Sequence, residues 1–357
     1  HHTVIYEYDS EKILNCIKEH EQYEHIVIAL SGDVGFYSGA KKLLQKLGED
    51  TRVICGISSV SYFMAKAGLS WDDAKIVSAH GRRCNLVALI RHNTKVFSIL
   101  GTKDGISALA KKLVYYGMGE VLLYVGENLS YEKEKVFVKP AKELVSYEGD
   151  ALCVVCAYNE KAEPLLSTHG IKDESFIRGK APMTKEEVRT VSLMKLGLSE
   201  DSICYDVGAG TGSVAVEMAI RAHQGRVYAI EKKEDALNLI LENKKKFAAD
   251  NLEIVGGCAP EAMEELSAPT HAFIGGSSGN LKDIIRLLLH KNPEVKIVLN
   301  CITLETVGEA MEAIREFGFQ ERDIVQLSVS RSKEVGRYHM MMGENPIYIF
   351  TCRGASL

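Results

Sequence analysis

The chain has 357 residues, 46% hydrophobic and 25% charged, which is long enough for two domains with ordinary cores. No apolar run reaches the roughly 18 residues of a membrane span and no secretory leader is visible, so the expected location is the cytoplasm. Acidic and basic side chains balance over residues 1–180, so the net charge of −5 lies in residues 181–357; an acidic half is a poor nucleic-acid surface, because such binding rests on phosphate neutralisation by Lys and Arg.

In the first half, residues 25–30 read as a short apolar strand running into Ser31-Gly-Asp-Val-Gly-Phe36, a glycine turn with one acid that suggests a ligand edge. A helix over 40–47 and a strand over 52–55 follow, and Gly56-Ile-Ser-Ser59 opens the next helix with hydroxyls placed for capping. Strands are predicted at 75–80, 95–100, 121–125, 135–138 and 151–156, with a helix from about 103 to 116, giving a sheet at least partly parallel. Cys153 and Cys156 form a C-x-x-C, but they lie inside an apolar run and read as buried strand. The nine cysteines read as reduced core thiols, and no metal is expected.

Residues 159–180, interrupted by Pro164, Gly170 and Gly179, read as a linker between domains at 1–158 and 181–357. Beyond it, Thr184 and Glu187 have capping-box spacing ahead of a helix at 188–196. Residues 203–207 then read as a buried strand, Gly208, Gly210 and Gly212 as a turn, and 214–220 as a helix. Such glycines allow positive φ and close approach of a ligand to the main chain, and the helix N-terminus offers unpaired N–H groups. With Asp206 two residues ahead, the G-x-G-x-G spacing differs from the G-x-G-x-x-G of many dinucleotide sites and favours S-adenosylmethionine over NAD. A strand over 226–230 ends at Glu231, where a βαβ unit places a carboxylate on a ribose.

Strands at 252–255 and 271–274 end in the small-residue turns Gly256-Gly-Cys-Ala-Pro260 and Gly275-Gly-Ser-Ser-Gly279, which a parallel sheet lines up along one ligand edge. Strands at 296–299 and 347–350 and a helix at 305–317 complete a sheet of about seven strands. The basic run Arg331, Lys333, Arg337 and His339 is either a solvated loop or a holder of an anionic substrate.

Thr184-Lys-Glu-Glu-Val-Arg189, Asp206-Val-Gly-Ala-Gly-Thr-Gly-Ser213, Tyr228-Ala-Ile-Glu231, Ala259-Pro-Glu261, Phe273-Ile-Gly-Gly-Ser277 and Asn345-Pro-Ile-Tyr348 occur in one order. In that order the second half resembles the decarboxylating precorrin-6 methyltransferases of cobalamin biosynthesis. Through Ser31-Gly-Asp33, Gly35-Phe36, Gly56-Ile-Ser-Ser59 and Ser78-Ala-His-Gly-Arg82, the first half is similar to the tetrapyrrole methylase domain fused to them in the bifunctional enzymes. The resemblance implies an α/β protein: an N-terminal tetrapyrrole methylase-like domain lacking its first strand, and a C-terminal class I Rossmann-like methyltransferase domain with a seven-stranded sheet.

It further implies S-adenosylmethionine as cofactor, a precorrin or cobalt-precorrin tetrapyrrole as substrate, and a homo-oligomer. The second half would methylate meso carbon 15 with loss of carbon dioxide from the acetate on carbon 12, and the first half meso carbon 5. Gly208, Ala209, Gly210, Thr211 and Gly212 would then cradle the methionine part, Glu231 take the ribose hydroxyls, Ala259 meet the adenine through its backbone, and Asp206 and Thr184 also belong to the cofactor site. Gly275, Gly276 and Ser277 would face the macrocycle, and Gly32, Asp33, Gly35, Phe36, Ser58 and Ser59 would form a second cofactor site. Arg189, Arg331 and Arg337 are expected to pair with substrate carboxylates. The sequence departs from the first-half pattern by beginning too late for the family's opening strand and G-x-G-P-G loop, and by Val34 and Cys55 where prolines are usual; Ser278 replaces a glycine in the second half. For the first half, a second active site and a structural or corrinoid-binding module both remain open.

Overall fold

A computed structural model of the chain describes residues 4–48, 51–80, 84–163 and 170–354. Gly81, Arg82 and Pro164, singled out above, lie outside the described residues. The first half runs α1 (Ser10–Glu19), α2 (Ala40–Leu44), α3 (Ser59–Ala67), β1 (Lys75–Ser78), α4 (Leu86–His92), β2 (Lys95–Ile99), α5 (Gly105–Tyr115), β3 (Leu122–Glu127), β4 (Lys135–Pro140) and β5 (Cys153–Tyr158). The second runs α6 (Glu186–Leu196), β6 (Ile203–Val207), α7 (Ser213–Arg221), β7 (Arg226–Glu231), α8 (Glu234–Lys246), β8 (Leu252–Gly256), β9 (His271–Ile274), α9 (Leu281–Lys291), β10 (Lys296–Cys301), α10 (Leu304–Phe317), β11 (Glu321–Leu327), β12 (Ser330–Val335), β13 (Tyr338–Gly343) and β14 (Ile347–Arg353). Packing divides the chain into one unit within His1–Gly81, Thr94–Lys111 and Gly119–Glu160, and a second within Arg82–Asn93, Lys112–Met118 and Lys161–Leu357.

In the first unit the strand order is β1-β2-β5-β3-β4, with β1 and β2 parallel and the other pairs antiparallel. Val60, Phe63 and Met64 of α3 pack on Phe97 of β2 and on Val154 and Cys156 of β5. Cys153 and Cys156 are therefore strand residues in the core, and burial pushes the Cys156 thiol up to about 11. The expected strands at 25–30 and 52–55 are not formed. Among the described residues both segments lack a ladder partner, and they leave apolar side chains in solvent, with Val27 87% and Ile54 76% exposed. Apolar character makes a strand only where a neighbour supplies the hydrogen bonds.

The second unit is built on a seven-stranded sheet of order β11-β14-β10-β9-β6-β7-β8. Strands β6 to β10 run parallel, while β14 lies antiparallel between β10 and β11. Successive side chains leave a strand on opposite faces, and that pleat sorts the core. Cys204, Ala229, Phe273 and Val298 join α6, α7 and α8 on one face; Tyr205, Ile230, Ile274 and Leu299 join α9 and α10 on the other. Connections from β6 travel to β7 and β8 in one direction and return to β9 and β10 in the other, so the order reverses between β6 and β9. The carboxyl ends of strands at such a switch point are where parallel sheets bind ligands. The hairpin β12-β13 stands apart from both sheets. Among the described residues no helix is long and apolar enough to cross a membrane.

Phe273, 1% exposed at the centre of β9, joins the sheet to the α6–α8 layer. Phe273→Ala is expected to cost the second unit about 3–5 kcal/mol, seen as an earlier urea transition of the full chain by far-UV circular dichroism.

Candidate functional site

The turn between β6 and α7 takes positive φ at all three glycines: +74° at Gly208, +56° at Gly210 and +76° at Gly212. Side chains are also excluded by space. A Cβ on Gly208 would lie 2.7 Å from the Gly276 carbonyl oxygen, and one on Gly210 would lie 2.5 Å from that of Pro182. Gly275 and Gly276 donate to the Val207 carbonyl at 2.9 and 3.3 Å, which seats the turn after β9 against the turn after β6. Ser277 follows at the same edge. Ser278 then adopts φ +53°, a left-handed conformation costly for a residue with a Cβ. Ala259, beyond β8, joins this edge when its carbonyl accepts from Asn280 Nδ2 at 3.0 Å.

Two carboxylates organise the turn. Gly212 is the N-cap of α7 and has no side chain to cap with, so Asp206 does so from the preceding strand: its Oδ2 accepts the Ala215 N–H at 2.9 Å. Glu231 Oε2 accepts the Gly210 N–H at 2.9 Å, and its Oε1 accepts those of Lys232 and Lys233 at 2.9 and 3.0 Å. Asp206 is fully buried, and burial pushes its carboxyl up to about 7; the Ala215 bond pulls it down and the Glu231 charge pushes it further up. Asp206 Oδ1 and Thr211 Oγ1 have no hydrogen-bond partner among the described residues.

Thr184 is not the cap expected of it. Helix α6 begins at Glu186 behind Lys185, without a side-chain cap, and the Thr184 carbonyl accepts from Arg189 Nη1. Glu187 is drawn instead to Arg331 Nη2. The structure also corrects two of the three arginines proposed for substrate carboxylates. Arg189 is wholly buried, donating to Glu217 Oε1 at 2.6 Å, to Asp173 Oδ1 at 3.2 Å and to the Ile171 carbonyl. Arg331 is held by Glu186, Glu187 and Glu344. Both charges are already neutralised by acids of the chain. Arg337, between β12 and β13, is exposed and donates to the Tyr338 hydroxyl.

In the first unit, the loop carrying Gly32, Asp33, Gly35 and Phe36 meets the one leading to Ser58 and Ser59. A Cβ on Gly56 would lie 2.3 Å from the Gly32 carbonyl oxygen. Asp33 Oδ1 accepts the Gly35 N–H at 2.6 Å, Phe36 packs beside Phe97, and Ser58 caps α3 through the Ser61 N–H. Sequence reasoning did not single out Glu217 or Asn243. Glu217 had a signal, being an acid inside the apolar helical run 214–220, where a charge needs a buried partner. Asn243 had none, since it sits in a polar stretch of α8.

Numbered within the seven-stranded sheet, the strands fall in the order 3-2-1-4-5-7-6 with the seventh reversed. Together with a glycine turn capping the first helix and an acid ending the second strand, this defines a Rossmann-like methyltransferase fold. Residues 175–353, half of the chain, match the precorrin methyltransferase domain, and residues 6–145 match the tetrapyrrole (corrin/porphyrin) methylases. The chain belongs to the precorrin methyltransferase family. A probable cobalt-precorrin-6B C(15)-methyltransferase (decarboxylating) of Pyrobaculum calidifontis is 42% identical over 188 residues, covering 52% of this chain and 96% of that protein. The cobalt-precorrin-6B C(15)-methyltransferase (decarboxylating) of Salmonella typhimurium is 38% identical, covering 51% and 95%. A crystal structure of precorrin-6y C5,15-methyltransferase from Geobacter metallireducens is 38% identical with a TM-score of 0.49, covering 52% of this chain and 97% of that one.

The Asp206 carboxyl has a pH signature. Unfolded, it releases its proton near the ordinary value of 3.8; folded, it holds the proton to about 7. Between those values the folded state binds the extra proton, so this group's contribution to stability falls as pH rises through the window. Asp206→Asn keeps an acceptor for the Ala215 N–H and cannot ionise. Its urea midpoints, measured from about pH 4 to pH 8, are expected to decline less steeply than those of the unaltered chain.

Proposed function

We propose that the protein is an S-adenosylmethionine-dependent C-methyltransferase of corrin-ring biosynthesis. In this reading the second unit methylates meso carbon 15 with loss of carbon dioxide from the acetate on carbon 12, and the first unit serves meso carbon 5. The observation that carries it is that the family match and the cradle coincide. The segment aligned with decarboxylating relatives over nearly their full length contains a turn with no side chain at Gly208, Gly210 and Gly212, and beside it Asp206 Oδ1 and Thr211 Oγ1 lack partners among the described residues. Those features fit a polar, zwitterionic cofactor.

When bound, S-adenosylmethionine supplies an electrophilic methyl group on a sulfonium. The acceptors are carbons of an electron-rich macrocycle, so the chain has to orient the ring and exclude water rather than generate a nucleophile. Residues 208–212 would hold the methionine part and Thr184 would close on it. Glu231 accepts one N–H at Oε2 and keeps acceptor capacity there for ribose hydroxyls. Ala259 would meet the adenine, while Gly275, Gly276 and Ser277 would face the macrocycle. Arg337 remains the arginine proposed for a substrate carboxylate. The exposed Tyr338, Met340, Met341 and Met342 on β13 support a homo-oligomer by offering apolar contact surface.

A second reading of the first unit, as a module that holds the corrinoid, is favoured by segments 25–30 and 52–55, which lead into the two loops of the expected second cofactor site without forming the strands expected there. Calorimetric titration with S-adenosylhomocysteine tests the cofactor assignment. The unaltered chain is expected to bind, and Glu231→Gln, which replaces a charged acceptor by a neutral one, to bind about tenfold more weakly. Equal affinity in the two proteins would contradict the ribose role.

A further inference from the structure

The Pro182 carbonyl presses on Gly210, so the chain leading to α6 forms a strap beside the glycine turn. Two side chains, each 0% exposed, fasten it. Arg189 reaches both ends, donating to the carbonyls of Ile171 and Thr184. Its partner Glu217 accepts the N–H groups of Gly170 and Ile171, each at 3.1 Å. Asn243 takes the middle: its Oδ1 accepts the Ile177 N–H at 2.8 Å, and its Nδ2 donates to the Ile177 carbonyl at 3.0 Å. The same Nδ2 donates to the Thr211 carbonyl at 2.9 Å, so one amide ties the strap to the glycine turn. Phe176 fills the space between the two fastenings, 4.8 Å from the Arg189 guanidinium and 4.8 Å from the Phe247 ring.

A buried ion pair stabilises a fold little beyond what apolar packing of the same volume would give, because desolvation offsets most of the attraction. What it does supply is direction, since each donor has one geometry in which it is satisfied. Among the described residues, the side-chain bonds that Arg189 and Asn243 make to the main chain end on the strap or on the turn. Resting on the reading of that turn as the S-adenosylmethionine site, we infer that Arg189 and Asn243 are positioning residues for cofactor binding. They act through the backbone of Thr184 and Thr211, holding strap and turn as one preformed wall, so that binding does not have to order the strap. The strap and the cofactor are then coupled: each should hold the other in place.

The test is amide hydrogen exchange on the full chain with and without saturating S-adenosylhomocysteine, read over residues 170–178. The ligand is expected to slow exchange there by about tenfold or more, equivalent to about 1.4 kcal/mol. In parallel, Asn243→Ala is expected to raise both the Kd for S-adenosylhomocysteine and the KM for S-adenosylmethionine about tenfold, with kcat at saturating cofactor within about twofold. A merely structural role would lower the folded fraction and leave those constants unchanged. Because a buried substitution can prevent folding, the exchange experiment on the unaltered chain stands by itself. Ligand binding without protection of residues 170–178 would overturn the strap inference alone. Failure of the unaltered chain to bind the ligand would overturn the cofactor reading and this inference with it.

Discussion

Two backbone segments converge on residues 208–212, and the rest of the second unit is arranged so that they can. The Gly276 main chain comes from one side and the Pro182 carbonyl from the other, at separations that leave no room for a Cβ on Gly208 or Gly210. The sheet reverses its order between β6 and β9, which brings Gly276 there, and the segment before α6 brings Pro182. Glycine at these positions answers to backbone crowding and positive φ first. The absence of side chains that also suits a ligand is a consequence of the same geometry.

Charge follows from that packing. A glycine N-cap leaves α7 without a local acceptor, so an acid from the core-facing side of β6 takes the role at the cost of being buried, and burial holds its proton. Glu231, ending the neighbouring strand, is the second acid at the turn and is satisfied by N–H groups on both oxygens. The site therefore has one acid whose burial favours its neutral form and one fixed by donors, set apart by environment and not by residue type.

What could be read from the sequence was local. The strand, glycine turn and helix at 203–220, the acid at 231 and the small-residue turns after β8 and β9 each declare themselves within a few residues, and they lie where expected. What could not be read depended on partners distant in the chain. Residues 25–30 and 52–55 have strand composition but no neighbour to pair with. The spacing of Thr184 and Glu187 promised a capping box, yet Glu187 is claimed by Arg331 from 144 residues away. Arg189 looked like an anchor for an anionic substrate because its own acids, Asp173 and Glu217, lie 16 and 28 residues from it on either side. The polar helix α8 carried no mark of Asn243, whose importance comes from meeting Ile177 and Thr211 at once.

The central claim is that the second unit transfers a methyl group to a corrin-ring carbon with decarboxylation. It is tested most directly by mass-resolved turnover of the full chain with S-adenosylmethionine and a precorrin-6B-type substrate, with and without cobalt in the ring. The account predicts gain of a methyl group accompanied by loss of carbon dioxide, and a second methyl if the first unit also acts. Tight binding of the macrocycle with no methyl gained and no S-adenosylmethionine consumed would contradict it and leave a corrinoid-binding protein that retains a methyltransferase fold.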